Sequence, residues 1–177
     1  MIDDRGTGMD QKHVMNAMRL GISEKNPKDN IGFRGIGIYT AYNLCDRLDI
    51  YTKSESDVNG YLIHFDFKKA RLALLEDQER KKQNLPTTVF LEKLLRETIF
   101  YSVDNETTLN APETRVIMSE LLSDVYDDLN NWDKVENYLR DIVPLPFRED
   151  FKYAKLIQDK LIENQEKIVP VTLQIWR

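Results

Sequence analysis

The sequence has one cysteine, Cys45. That excludes an internal disulfide and suits a reducing compartment. No apolar run nears the roughly 18 to 20 residues that span a bilayer. The first residues, MIDDRG, lack the basic-then-apolar pattern of a secretory leader, so a cytoplasmic protein is expected. Excess positive charge is absent too. The formal net charge is −5, which gives no bulk attraction to nucleic acid or to an anionic membrane. The two histidines, His13 and His64, stand in no metal-ligand spacing and read as structural. Glycine is scarce, with seven in 177 residues, and its distribution is uneven. Gly6, Gly8, Gly32, Gly35 and Gly37 fall within the first 40 residues, with Gly21 between the two groups. Glycine is needed where the backbone takes positive φ or comes close to a ligand. The crowding marks a backbone-built site near the N-terminus and leaves the rest as scaffold.

At 20.8 kDa and 41% hydrophobic residues, the chain suits one compact domain, or one domain and the start of another. Val14, Ala17, Met18 and Leu20 fit a short helix. ISEKNPKDN reads as a loop broken at Pro27. IYTAYNLCDRL, directly behind the second glycine group, predicts a buried helix that carries Cys45 as inert packing. LDIYTKS sets Leu48 and Ile50 against Asp49 and Tyr51, a half-buried strand. YLIHFDF is a second strand with Tyr61, Ile63, Phe65 and Phe67 on one face, so a hairpin is predicted. Helix formers fill 68–84, and a second helix is predicted over 87–101 with Thr87 or Thr88 as its cap. TRVIMSEL is a third strand candidate. Apolar residues from Leu122 to Ile142 recur at three- and four-residue steps, predicting one long helix over 121–142. Pro144 and Pro146 end it. A helix over 151–164 and a strand opening in KIVPVTLQIWR follow.

Three motifs carry the chemistry. They are DRGTGM (Asp4, Gly6, Gly8, Met9), GISEK (Gly21, Ser23, Lys25) and GFRGIGI (Gly32, Phe33, Arg34, Gly35, Ile36, Gly37, Ile38). Each is weak alone. Together, in this order and followed by DRLDIYTKS, they resemble the ATPase superfamily of gyrase B, the heat-shock chaperones, histidine kinases and MutL (GHKL). The chaperone-like and MORC-like branch is nearest in flavour. The resemblance covers residues 3 to 55 and continues more weakly in topology to about 146. It implies an α+β fold, an incomplete two-layer α/β sandwich of Bergerat type. A mixed sheet would lie under helices over 1–146, with a linker helix and the first strand of a transducer-like domain over 147–177.

The resemblance also implies roles. Asp4 would accept the exocyclic amine of adenine, a charge-assisted bond. Gly6 and Gly8 would turn the chain and leave room for the base, and Met9 would pack against it. Thr114 would support the adenine end. The backbone of Gly32–Ile38, opening onto a helix, would face the triphosphate, with Lys25 and possible help from Arg34. Asn16 would lie near ribose or phosphate. Residues from Gly21 and Ser23 to Asn30 would form a lid ordered by nucleotide. The implied ligands are ATP or ADP with Mg²⁺. The implied partners are a second copy of the parent protein and an unknown client.

In such proteins a helix upstream of the Asp-x-Gly-x-Gly turn supplies a general-base glutamate and a Mg²⁺-binding asparagine. No residues before Met1 are there to supply them. The chain is therefore expected to be a middle fragment that binds ATP without hydrolysing it alone. The alternatives are a pseudo-ATPase scaffold and a helical interaction module built on 121–164 with vestigial glycine turns.

Overall fold

The computed structural model describes residues 1–23, 35–104, 109, 112–142, 148 and 150–164. The chain divides into two compact units, Met1–Val125 and Tyr126–Arg177. In the first unit five strands form one sheet: β1 (Ile2–Asp4), β2 (Cys45–Lys53), β3 (Gly60–Asp66), β4 (Ile99–Asp104) and β5 (Glu113–Leu121). Their spatial order is β1-β5-β2-β3-β4, and every pairing among the described residues is antiparallel. With them go helices α1 (Gln11–Ala17), α2 (Phe67–Lys82) and α3 (Leu91–Thr98), and a 3₁₀ helix, Ile38–Asn43. This is the α+β class that the resemblance implies, with an antiparallel sheet among the described residues where a mixed one was expected.

Alternation decides which face of the sheet is covered. Leu48 and Ile50 on β2, and Tyr61, Ile63 and Phe65 on β3, share one buried cluster with Val14 of α1, Ala41 of the 3₁₀ helix and Phe67 of α2. Each fully buried side chain of this size contributes about 1.5–3 kcal/mol, and Phe65 meets Tyr39 edge-on at 5.7 Å between ring centres. Phe67 reaches the same core from the first turn of α2, not from the end of β3. Asp66 ends the strand and starts the helix, its carboxylate accepting the Lys69 N–H at 2.8 Å.

The segment after Gly37 differs from its expectation. In place of a long helix there is a six-residue 3₁₀ helix, and Cys45 already belongs to β2. Distant donors explain the early end. Arg71 of α2 donates to the carbonyls of Tyr42 and Cys45, and the Leu122 N–H donates to the Leu44 carbonyl at 3.0 Å. Those carbonyls are thus taken by partners far along the chain. Cys45 is buried, and burial pushes its thiol pKa up, which fits an inert packing role.

The helix expected over 87–101 is shorter too. It runs Leu91–Thr98, and Ile99–Asp104 pairs with β3 as an edge strand. Thr87 and Thr88 do not cap it. They serve Asp77, a buried carboxylate of α2. Asp77 accepts the Thr87 hydroxyl at 2.7 Å and the Thr88 N–H at 2.7 Å, and pairs with Lys81 at 2.8 Å. Lys81 first, then those donors, hold its carboxyl far below the usual carboxylate range.

The long helix expected over 121–142 is two: α4 (Ser123–Leu129) and α5 (Trp132–Ile142). Asn131 stands between them, its side chain accepting the Lys134 N–H at 3.2 Å as a cap. Neither helix buries a residue among those described. α6 (Ala154–Glu163) follows. The strand expected in KIVPVTLQIWR lies outside the described residues. Among the described residues no helix is long and apolar enough to cross a membrane.

Candidate functional site

β1 is an edge strand of the sheet, and its register places the first motif. Asp4 lies opposite Thr114 of β5, and Thr114 lies opposite Thr52 of β2. Directly opposed residues project to the same side of a sheet. Thr52 keeps step with Leu48 and Ile50, so this row lies on the helix-covered face. Arg115 points the other way and clamps Asp3 at 2.7 Å. Its hydrogen bonds lower the Asp3 carboxyl's pKa and fasten β1 to β5.

The turn after β1 closes back on this row. The Gly6 N–H donates to Asp4 Oδ1 at 3.0 Å, which leaves most of the exposed carboxylate for another donor. Gly8 has φ +64°, and a Cβ there would lie 1.7 Å from the Lys53 carbonyl oxygen. Only glycine lets the turn press on the end of β2. The Met9 N–H then donates to Thr52 Oγ1 at 2.8 Å, and Thr52 Oγ1 stands 2.9 Å from Thr114 Oγ1. The Met9 side chain packs against the core cluster. Asp10 starts α1, taking the His13 N–H at 2.9 Å, and that bond first among its contacts lowers its carboxyl's pKa. His13 pairs with Asp10, and His64 with Asp49 at 2.6 Å.

Seven-residue α1, about 10 Å at 1.5 Å per residue, leads from this row to the second and third motifs. The Tyr39 hydroxyl donates to the Met18 carbonyl at 2.6 Å, and burial raises its pKa to about 12, so it stays a donor. The Gly21 N–H donates to the Gly35 carbonyl at 3.1 Å. Gly35 has φ +65°, and a Cβ there would meet the Ile22 backbone at 2.3 Å. The structure thus joins two motifs that the sequence separates by a loop. Gly37 precedes the 3₁₀ helix with an ordinary φ of −56°. Behind it Ile38 packs on the core, while Ile36 is exposed. Asn16 and Ser23 are half-buried on α1 and just past its end. Lys25, Gly32, Phe33, Arg34 and the remainder of the expected lid lie outside the described residues.

Sequence reasoning missed Thr52. Its signal was its parity: a hydroxyl at a position that Leu48 and Ile50 mark as core-facing. It is 1% exposed and fully hydrogen-bonded.

The first end fits a flat base with a donor edge. It offers an exposed carboxylate and a half-buried hydroxyl, held by a turn that only glycine lets press on β2. For Mg²⁺, no group of three or more His, Cys, Asp or Glu is brought together among the described residues.

A family model for histidine kinase-, DNA gyrase B- and HSP90-like ATPases matches residues 1–90. The match takes in all three glycine motifs and the strands up to β3, and ends before α3. No curated protein matches the chain.

Proposed function

The chain belongs to the family of histidine kinase-, DNA gyrase B- and HSP90-like ATPases, and from that premise we propose that residues 1–146 form an ATP-binding domain of its chaperone-like branch. Binding would drive a conformational change or dimerisation, with 147–177 leading into a transducer-like part. The observation that carries the base end is the row Asp4–Thr114–Thr52, closed by the Gly8–Met9 turn. Asp4 accepts the amine of adenine, Thr114 supports the neighbouring edge, and Gly8 seats the turn against the end of β2. Backbone amides of the Gly32–Gly37 segment face the phosphates, with Lys25 completing that end. Mg²⁺, arriving with the nucleotide, neutralises phosphate charge.

Titration calorimetry with Mg-ATP and Mg-ADP tests this. Asp4→Asn removes a charge-assisted bond of about 1.5–3 kcal/mol, so ATP affinity falls roughly ten- to a hundredfold. The melting temperature stays unchanged, because Asp4 is exposed and, among the described residues, its side chain bonds only Gly6. An Asp4→Asn protein that binds ATP as the parent does would defeat the base assignment.

A second reading is favoured by α5 and its neighbour. Tyr126, Trp132, Tyr138 and Ile142 are exposed, as an interaction module would need. Absence of heat with millimolar ATP or ADP would favour it.

A further inference from the structure

We propose that the outward face of α2 is a self-association surface. Two copies of this chain pair there, α2 against α2, antiparallel about a two-fold axis. The inference stands apart from the ATP-binding reading and needs no nucleotide.

α2 uses two sides. Its inward side gives the fold Phe67, Ala70 and the paired Asp77, all buried. On the other side Leu72 and Leu75 are 60% and 55% exposed. A helix that only covers a sheet has one apolar stripe and a polar outer face. Leucines three apart share one side of a helix, and Lys68 and Glu79, both exposed, continue their line at either end. The steps from Lys68 to Leu72, Leu75 and Glu79 are four, three and four residues, the spacing of a coiled-coil seam. Beside Leu72 the surface is hollowed. A depression of about 490 Å³ lies among Lys68, Lys69, Ala73 and Glu76, where a facing side chain can enter.

The charges say what covers the leucines. The seam opens on a cation and closes on an anion. Laid antiparallel, Leu72 of one copy meets Leu75 of the other, and Lys68 meets Glu79. Lys69, flanking the seam, reaches Glu76 of the second copy. Symmetry makes each contact twice. Laid parallel, Lys68 would meet Lys68 and Glu79 would meet Glu79, and like charges repel. The stripe is therefore complementary to itself in one direction only, as a two-fold contact requires. Within one chain these charges have only surface partners. Lys68 lies 3.4 Å from Glu120 and 3.8 Å from Asp46, and Glu79 accepts from Lys82 at 2.6 Å. Exposed pairs of this kind are exchanged at little cost.

Sedimentation equilibrium of the full chain without nucleotide tests this. The parent's apparent mass should climb with concentration from 20.8 kDa toward twice that value. The contact is small, so a dissociation constant on the order of 100 µM is expected. Lys68→Glu alone, or Glu79→Lys alone, sets like charges across both ends of the seam and weakens the dimer about tenfold. Lys68→Glu together with Glu79→Lys restores it to within about threefold of the parent. Leu75→Gln, which adds no charge, weakens it as well, and its melting temperature in dilute solution matches the parent's. A parent that stays monomeric to about 1 mM overturns the proposal. So does a dimer that neither single charge variant weakens, which puts the contact elsewhere, or a double variant as weak as the singles. A monomer leaves the ATP-binding reading standing, and failure to bind ATP leaves this surface standing.

Discussion

The two ends of the candidate site are built by different means. At the Asp4 end, side chains from three strands are locked by register, and Thr52 ties the turn to the sheet through its hydroxyl. At the Gly21–Gly37 end the contacts are backbone to backbone, Gly21 to Gly35 and Gly35 against Ile22. A rigid, side-chain-lined end can discriminate one base from another. A backbone-lined end can meet any polyphosphate, because amide donors carry no identity. On the proposed ATP-binding reading, the comparison puts selectivity and general anion affinity at separate ends, to be disturbed apart.

Glycine replacements give the sharpest means of breaking that contrast. Gly8→Ala should have the largest effect. Its methyl would overlap the Lys53 carbonyl, and the left-handed φ adds about 1–2 kcal/mol of strain. A loss of roughly 3 kcal/mol or more is expected in urea unfolding, and a shift under 1 kcal/mol would mean the turn does not press on β2. Gly35→Ala comes next. Its methyl would meet the Ile22 backbone, but that contact lies away from the sheet, where the chain yields more easily. About 2 kcal/mol is expected, with ATP and GTP affinities reduced alike. A selective loss of ATP would contradict the division of labour. Gly37→Ala should do least, within about 0.5 kcal/mol, since its φ is ordinary and none of the described residues lies within 4 Å of the added carbon.

A pH series supplies a control away from both ends. Asp77 has a folded pKa depressed below its unfolded value. Its stabilisation is therefore complete above about pH 4 and is lost as pH falls through the folded value, because the unfolded chain takes up the proton first. Asp77→Asn should melt earlier than the parent at pH 7, and the two melting curves should converge as pH drops below about 4. ATP affinity at pH 7 should not change.

What was legible in the sequence followed from local pattern. Tyr61, Ile63 and Phe65 alternate, and all three are buried. The glycine groups and the strand TRVIMSEL stood out in the same way. What was not legible depended on partners far along the chain. Helix formers in LEKLLRET run straight into IFYSVD, whose aromatic and β-branched residues become a strand only because β3 offers an edge. The 3₁₀ helix stops where Arg71 takes the Tyr42 carbonyl and Leu122 the Leu44 carbonyl just beyond it, and neither donor can be seen from the local sequence. Thr52 looked like a strand position with a small side chain, and its meaning appeared only when register brought Thr114 and Met9 to it.

The placement of β5 between β1 and β2 has a consequence for synthesis. Among the described residues the strand partner of Asp4 is Thr114, on a strand synthesised much later. At about 5–20 residues per second of translation, the first motif waits on the order of 5–20 seconds outside the ribosome with its turn unsupported. On the proposed reading, the base end is not yet assembled during that interval, so ligand does not assist early folding.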